Sequence, residues 1–106
     1  MDRQYQITFY VPEKYCETVK QAMFDEGAGK LGNYEECAWQ TLGQGQFKPL
    51  EGSNPYMGNK DKLEKVEEYK VDIFCEKDKL EAAIEALKNS HPYETPSFSV
   101  LELVPF

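Results

Sequence analysis

Apolar residues recur along this chain with two different periods, and the order in which those periods alternate leaves few folds open. From Tyr5 to Val11 they alternate, with Ile7, Phe9 and Val11 on one face, as in a half-buried strand. Pro12 stops that strand and suits the first turn of a helix. From Glu13 to Glu26 the spacing changes to a helical one, carried by Cys16, Val19, Ala22 and Met23. Gly27 stands where a left-handed residue closes such a helix. Tyr34 to Leu42 has strand composition, and Gly43-Gln44-Gly45 predicts a tight reversal into Gln46 to Leu50. The segment Glu51 to Lys62 holds Gly52, Asn54, Pro55, Gly58 and Asn59 and reads as a long turn-rich loop, a kind that is often functional.

The second half repeats the alternation. Leu63 to Cys75 predicts a long strand with Tyr69, Val71, Ile73 and Cys75 on one face and Glu68, Lys70 and Asp72 on the other. Asp78 and Glu81 have capping-box spacing, with Asp78 as the N-cap of a second helix running to about Asn89. Leu80, Ala83, Ile84 and Leu87 form its core stripe. HPYETP stiffens the connection to a last strand, Phe98 to Val104, which is apolar on both sides. The order β-α-β-β-α-β with two amphipathic helices predicts an α+β fold, a ferredoxin-like sandwich with both helices on one face of an antiparallel sheet. Phe98, Val100 and the strand aromatics imply that the free face is covered by a partner. At 106 residues the chain suits one domain, residues 1–106.

Bulk chemistry excludes several roles. With 19 acidic against 12 basic side chains and a net charge of −7, the chain has no basic face for nucleic acid. No apolar run approaches the ~20 residues needed to span a bilayer, and MDRQYQITFY has no apolar leader core, so a cytoplasmic address is expected. The three cysteines, at 16, 37 and 75, lack CxxC spacing, which predicts reduced thiols rather than disulfides or a structural zinc site.

Two motifs bear on chemistry. Gly27-x-Gly29-x-x-Gly32 has dinucleotide-fingerprint spacing, but a helix enters it and a strand leaves, so a phosphate would meet the wrong end of the helix dipole. Its plainer role is a helix stop and turn. Three glycines still permit close approach by a ligand or a second subunit, and Lys30 at their centre suits an anion. His91, beside Tyr93 and Glu94 in HPYETP, is a candidate acid, base or metal ligand. One histidine cannot build a metal cage within one chain, and its plainer role is to meet the last helical carbonyls. The topology sets the two loops at opposite ends of the sheet, so a site using both would lie between subunits.

The string Gly27, Gly29, Gly32, Tyr34 and Cys37, followed by Gly45-x-Phe47-x-Pro49, Gly52, Pro55 and Gly58, then Glu68-x-Lys70 and His91-Pro92-Tyr93-Glu94-x-Pro96, resembles the domain inserted in bacterial proteins of the NGG-interacting-factor-three family, the YqfO-like proteins. It covers about Gln6 to Leu103. The last motif is also similar to that of CutA proteins, with which the family domain and the PII signalling proteins share a trimer-forming, ferredoxin-like fold. In the full-length family two flanking halves hold a dinuclear metal site; this sequence has neither half and one histidine, so the resemblance implies a stand-alone insert without that hydrolase chemistry. Lys70 stands where the family more often has Arg, which removes a bidentate partner for Glu68.

Three functions follow in order. The first is a non-enzymatic, regulatory homo-oligomer, a trimer before a dimer, binding a small molecule through Gly27, Gly29, Lys30, Gly32, Tyr34, Cys37, His91, Tyr93 and Glu94. It needs no cofactor. The second is a CutA-like divalent-metal binder using His91 and a neighbour's Cys37. The third, an enzyme with His91 and Glu94 as an acid/base pair, rests on adjacency alone. No catalytic residue is assigned, and neither nucleic acid nor membrane is an expected partner.

Overall fold

The computed structural model describes residues 4–106; the first three residues of the segment read as leaderless lie outside it. The elements are β1 (Gln4–Pro12), α1 (Glu13–Asp25), β2 (Trp39–Phe47), β3 (Glu64–Glu76), α2 (Lys77–Ser90) and β4 (Phe98–Glu102). The strands form one sheet in the order β2-β3-β1-β4, antiparallel at every pairing. This is the expected ferredoxin-like α+β arrangement. The alternation in β1 and β3 sends Ile7, Phe9 and Val11, with Val71, Ile73 and Cys75, into one core. Cys16, Val19 and Met23 of α1 and Ala83 and Leu87 of α2 close it from the helix layer.

Gly27 ends α1 as its position predicts. It has φ of 100°, its N–H bonds the Phe24 carbonyl at 2.9 Å, and Ala28 N–H bonds the Met23 carbonyl at 3.2 Å. That pair of bonds is a Schellman stop, with Ala28 and Met23 both in the core beneath it. Asp78 is not the N-cap of α2. The helix begins at Lys77, with Glu76, two residues before Asp78, in the N-cap position and no side-chain cap bond. Asp78 sits in the first turn, where its charge still suits the positive end of the dipole.

Gly43 and Gly45 do not turn the chain. β2 runs straight through both, pairing Gly43 with Glu68 and Gly45 with Val66, and the reversal into β3 is made by residues 48–63 instead. Residues 35–38 precede the strand rather than belong to it, after a local Leu31–Tyr34 bridge. β3 begins four residues before its first partner in β1 (Glu68, opposite Pro12), so β2 and β3 project as a two-stranded arm in a molecule 48 Å long and 24 Å across.

The partner-covered face also needs correction. Phe98 and Val100 lie opposite Phe9 and Ile7 and pack against the helix-side core. The face without helices carries Gln6, Thr8 and Tyr10 of β1 and the even-numbered residues of β3. Its centre is polar: the Thr8 hydroxyl donates to Asp72 at 2.6 Å. The large apolar side chains exposed on it are Trp39 (62%), Phe74 (37%) and Leu101 (55%), toward the end where β3 finishes.

Candidate functional site

The arm's geometry creates a concavity. On the helix-free face, Tyr10, Gly45, Phe47, Val66 and Glu68 come into register as a floor. The loop 48–63 folds back above them, closed at its base by a bond from the Asp61 N–H to the Pro49 carbonyl and steadied by Ser53, whose hydroxyl donates to Leu50 O at 2.7 Å. HPYETP forms the third wall. Together they enclose about 550 Å³, within the size range of small-molecule sites.

Each wall is tied to another by a specific contact. The Asn54 N–H donates to Glu94 Oε1 at 3.0 Å, joining loop 48–63 to the proline loop. Tyr56 donates its hydroxyl proton to Tyr15 of α1 at 3.1 Å, with the two rings edge to face. The Tyr93 hydroxyl donates to Glu68 Oε2 at 3.1 Å. The Tyr93 ring lies 6.3 Å from Phe47 and 6.2 Å from Tyr56, centroid to centroid. Tyr93 therefore neighbours both other rings while its hydroxyl holds the carboxylate.

Glu68 is half-buried, and burial raises its carboxyl above the usual range, with the Tyr93 hydroxyl pulling the other way. Burial and the neighbouring Glu68 push the Tyr93 hydroxyl up strongly, so it remains a donor at any physiological pH. Gly45 makes room for this carboxylate: a Cβ there would collide with Glu68 Oε1. Absence of a side chain at position 45 thus serves a long-range contact across the sheet rather than a turn.

His91 stands behind the cavity. It is 7% exposed, its Nε2 lies 2.6 Å from the Tyr10 carbonyl, and its Nδ1 accepts from the Tyr93 N–H at 3.1 Å. The acceptor role of Nδ1 leaves the proton on Nε2, which donates to Tyr10. Burial lowers the imidazole's pKa, opposed by the Tyr10 carbonyl, which favours the charged form. His91 is a strut that orients Tyr93, with the two rings 4.8 Å apart. It does not face Glu94 as an acid/base pair: its nitrogens meet backbone groups and Glu94 meets Asn54.

The glycine segment is elsewhere. Gly29 N–H bonds the carbonyl of Phe74, at the far end of β3, and Cys37 N–H bonds the Gly29 carbonyl. Lys30, Gly32 and Tyr34 are exposed there, and Cys37 is half-buried. Of the residues read from sequence, Tyr93 and Glu94 line the cavity, and His91 supports it. Gly27, Gly29, Lys30, Gly32, Tyr34 and Cys37 lie at the opposite end of the sheet, as the topology requires. The sequence reading missed Tyr10, Tyr56 and Glu68 as cavity residues. Its available signal was the convergence of Gly45-x-Phe47-x-Pro49, Pro55 and Glu68 with HPYETP, since those named residues and the Tyr93-Glu94-Thr95 part of HPYETP line one cavity.

No family model matches the chain. The chain is 36% identical over 99 residues to the GTP cyclohydrolase 1 type 2 homolog of Staphylococcus epidermidis, covering 93% of this chain and 27% of that protein. The crystal structure of a Bacillus cereus protein related to NIF3 superposes with a TM-score of 0.83 at 31% identity, over 96% of this chain and 26% of that one. The chain is homologous to one domain of the NIF3-related proteins. It spans about a quarter of the length of these relatives. CutA from Synechococcus elongatus shares the fold, with a TM-score of 0.70 at 17% identity over 98% of this chain and 80% of that one. Among the described residues, no helix is long and apolar enough to cross a membrane.

Proposed function

We propose that this NIF3-related domain is a non-enzymatic, cytoplasmic, homo-oligomeric module of regulatory type that holds a small ligand in the cavity beneath loop 48–63. The observation that carries the reading is the convergence of four distant segments (the end of β1, the β2–β3 arm, loop 48–63 and HPYETP) on one aromatic-walled concavity. Its titratable lining groups are tyrosines and the carboxylates of Glu68 and Glu94, with no His, Cys or Lys among them. Such a lining suits holding a molecule better than transforming it. Ligand occupancy would be reported through loop 48–63, whose bonds to Glu94 and Tyr15 link the cavity to two other elements.

Exposure of Trp39, Phe74 and Leu101 on the helix-free face supports burial of that region by further copies of the chain. A trimer is preferred to a dimer on the resemblance to CutA and PII-type domains. The competing reading, a divalent metal shared through His91 and a neighbour's Cys37, would require the buried His91 to give up the hydrogen bond of whichever ring nitrogen met the metal. The name GTP cyclohydrolase 1 type 2 homolog belongs to proteins of which this chain spans about a quarter, and that activity is not proposed for it.

A ligand-observed NMR screen of small anions, neutrals and cations tests the reading. Binders are expected for the native chain and lost in Gly45→Ala, whose Cβ would displace the Glu68 carboxylate from its place in the lining. Binders that survive unchanged in that variant would place the site elsewhere.

A further inference from the structure

We infer that the cavity selects an organic cation, a small ammonium compound with apolar substituents, seated against Glu68 and enclosed by the rings of Phe47, Tyr56 and Tyr93. The inference rests on the ligand-binding reading above and specifies the chemistry of its ligand.

Charge in the lining has one sign. Glu68 and Glu94 both line the cavity, and among the described residues no Lys, Arg or His does. The two carboxylates differ in their environment. Glu94 is exposed and accepts a backbone N–H from Asn54, so part of its charge is already met. Glu68 is half-buried, lies against Gly45, and has for its partner a neutral hydroxyl, that of Tyr93. A carboxylate taken partly out of water beside apolar walls is costly unless a cation meets it. Nothing in the lining supplies that cation.

The walls supply the other half of the recognition. Rings of Phe47 and Tyr56 neighbour Tyr93 at 6.3 and 6.2 Å, and Pro49, Pro55 and Val66 add apolar surface to the lining. Aromatic faces attract cations electrostatically, most strongly a poorly hydrated one such as a substituted ammonium. A hydrated inorganic ion would gain little from these walls. A phosphate-bearing ligand would set its charge against two carboxylates. A neutral apolar ligand would bury Glu68 further without compensating it. The net charge of −7 also draws cations toward the chain.

The test uses the full chain at neutral pH and low salt, followed by NMR titration with choline and with benzyltrimethylammonium. The neutral isostere of choline, 3,3-dimethylbutan-1-ol, is the control. Both cations are expected to shift resonances of Gly45, Glu68 and Tyr93, and the isostere to bind at least about tenfold more weakly. Glu68→Gln should abolish the preference for the charged probe. Gly45→Ala, which moves the carboxylate without removing it, should weaken both cations and serves if Glu68→Gln fails to fold. Equal binding of choline and its isostere overturns the inference. So does binding of neutral or anionic compounds in the cavity without the cations, an outcome that leaves the ligand-binding reading standing. If compounds of no charge class bind the cavity, both fall.

Discussion

The Tyr93 hydroxyl meets the Glu68 carboxylate at 3.1 Å, and through this bond the loop that leaves α2 is fastened to the middle of β3. Twenty-five residues separate the two side chains in sequence, and α2 and the end of β3 lie between them. The bond keeps Tyr93 over the arm while burial keeps Glu68 from its ordinary hydration. A charge held in that way favours binding at some cost to the stability of the empty fold.

Glu68→Gln is therefore expected to stabilise the unliganded chain at pH 7. The amide oxygen still accepts from Tyr93, and the penalty of burying a charge disappears. Because the folded pKa of Glu68 is raised, the charged form is disfavoured by folding, and the gain should shrink as pH falls and the wild-type carboxyl becomes protonated. Thermal unfolding of both proteins at pH 7 and pH 4 measures it. The expected rise at pH 7 is a few degrees at most, on the order of what under 1 kcal/mol produces in a domain of this size. A lowered melting temperature at pH 7 would contradict it.

His91→Ala should destabilise by about 1–3 kcal/mol, since it leaves the Tyr10 carbonyl and Tyr93 N–H without their partner. The pH dependence has a definite sign. Burial lowers the folded pKa of His91 below 6.5, so the unfolded chain takes up this proton first as pH falls. The contribution is intact above about pH 6.5 and declines as pH drops through that value toward the lowered one. Urea unfolding at pH 7.5 and pH 5.5 should show a smaller difference between the two pH values in His91→Ala than in the wild type.

Gly29→Ala and Gly45→Ala should part company. At Gly29 φ is 85°, and an added Cβ would stand 2.9 Å from the Phe24 ring and 3.2 Å from Cys37 N, so backbone strain and collision combine to a loss of about 1–3 kcal/mol. At Gly45 the backbone is extended and the obstacle is the end of a flexible side chain, so stability should change little while ligand binding is lost. Denaturant midpoints together with a binding assay separate the two.

Much of the fold was legible because its signals are local. Alternation of Ile7, Phe9 and Val11 names the core face of β1, and Gly27 names the end of α1, without reference to anything distant. Errors arose where a residue answers to a partner far along the chain. Gly43 and Gly45 look like a turn because nothing nearby reveals the Glu68 side chain that needs the room. Phe98 and Val100 looked like a face awaiting a partner because their strand is apolar on both sides; register with Ile7 and Phe9 is what sends them to the helices. The site was half legible for the same reason. Tyr93 and Glu94 stand out in a proline-rich motif, but the company of Phe47, Tyr56 and Glu68 exists only once β2 and β3 pair.

Placement of the two motif loops at opposite ends of the sheet gives a further expectation. Gly29→Ala and His91→Ala share no partner within a chain, so their effects on stability should add to within roughly 0.5 kcal/mol. A larger coupling in a double-mutant cycle would show that oligomer symmetry brings the loops together in one inter-subunit site.

Self-association can be checked by light scattering at micromolar concentration. A mass above that of the 12.2 kDa monomer is expected, lowered by Trp39→Glu combined with Leu101→Glu, which place charge on the exposed apolar positions of the helix-free face. A monomeric wild type would remove the oligomer from the account.

The most direct measurement of the central claim is an amide chemical-shift map of the chain with any binder found in the ligand screen. Shifts should concentrate on Gly45 to Ser53, Glu68 and Tyr93 to Thr95, and Gly29 to Tyr34 should stay silent. Shifts confined to the glycine segment, with the cavity beneath loop 48–63 unaffected, would contradict the assignment of that cavity as the site.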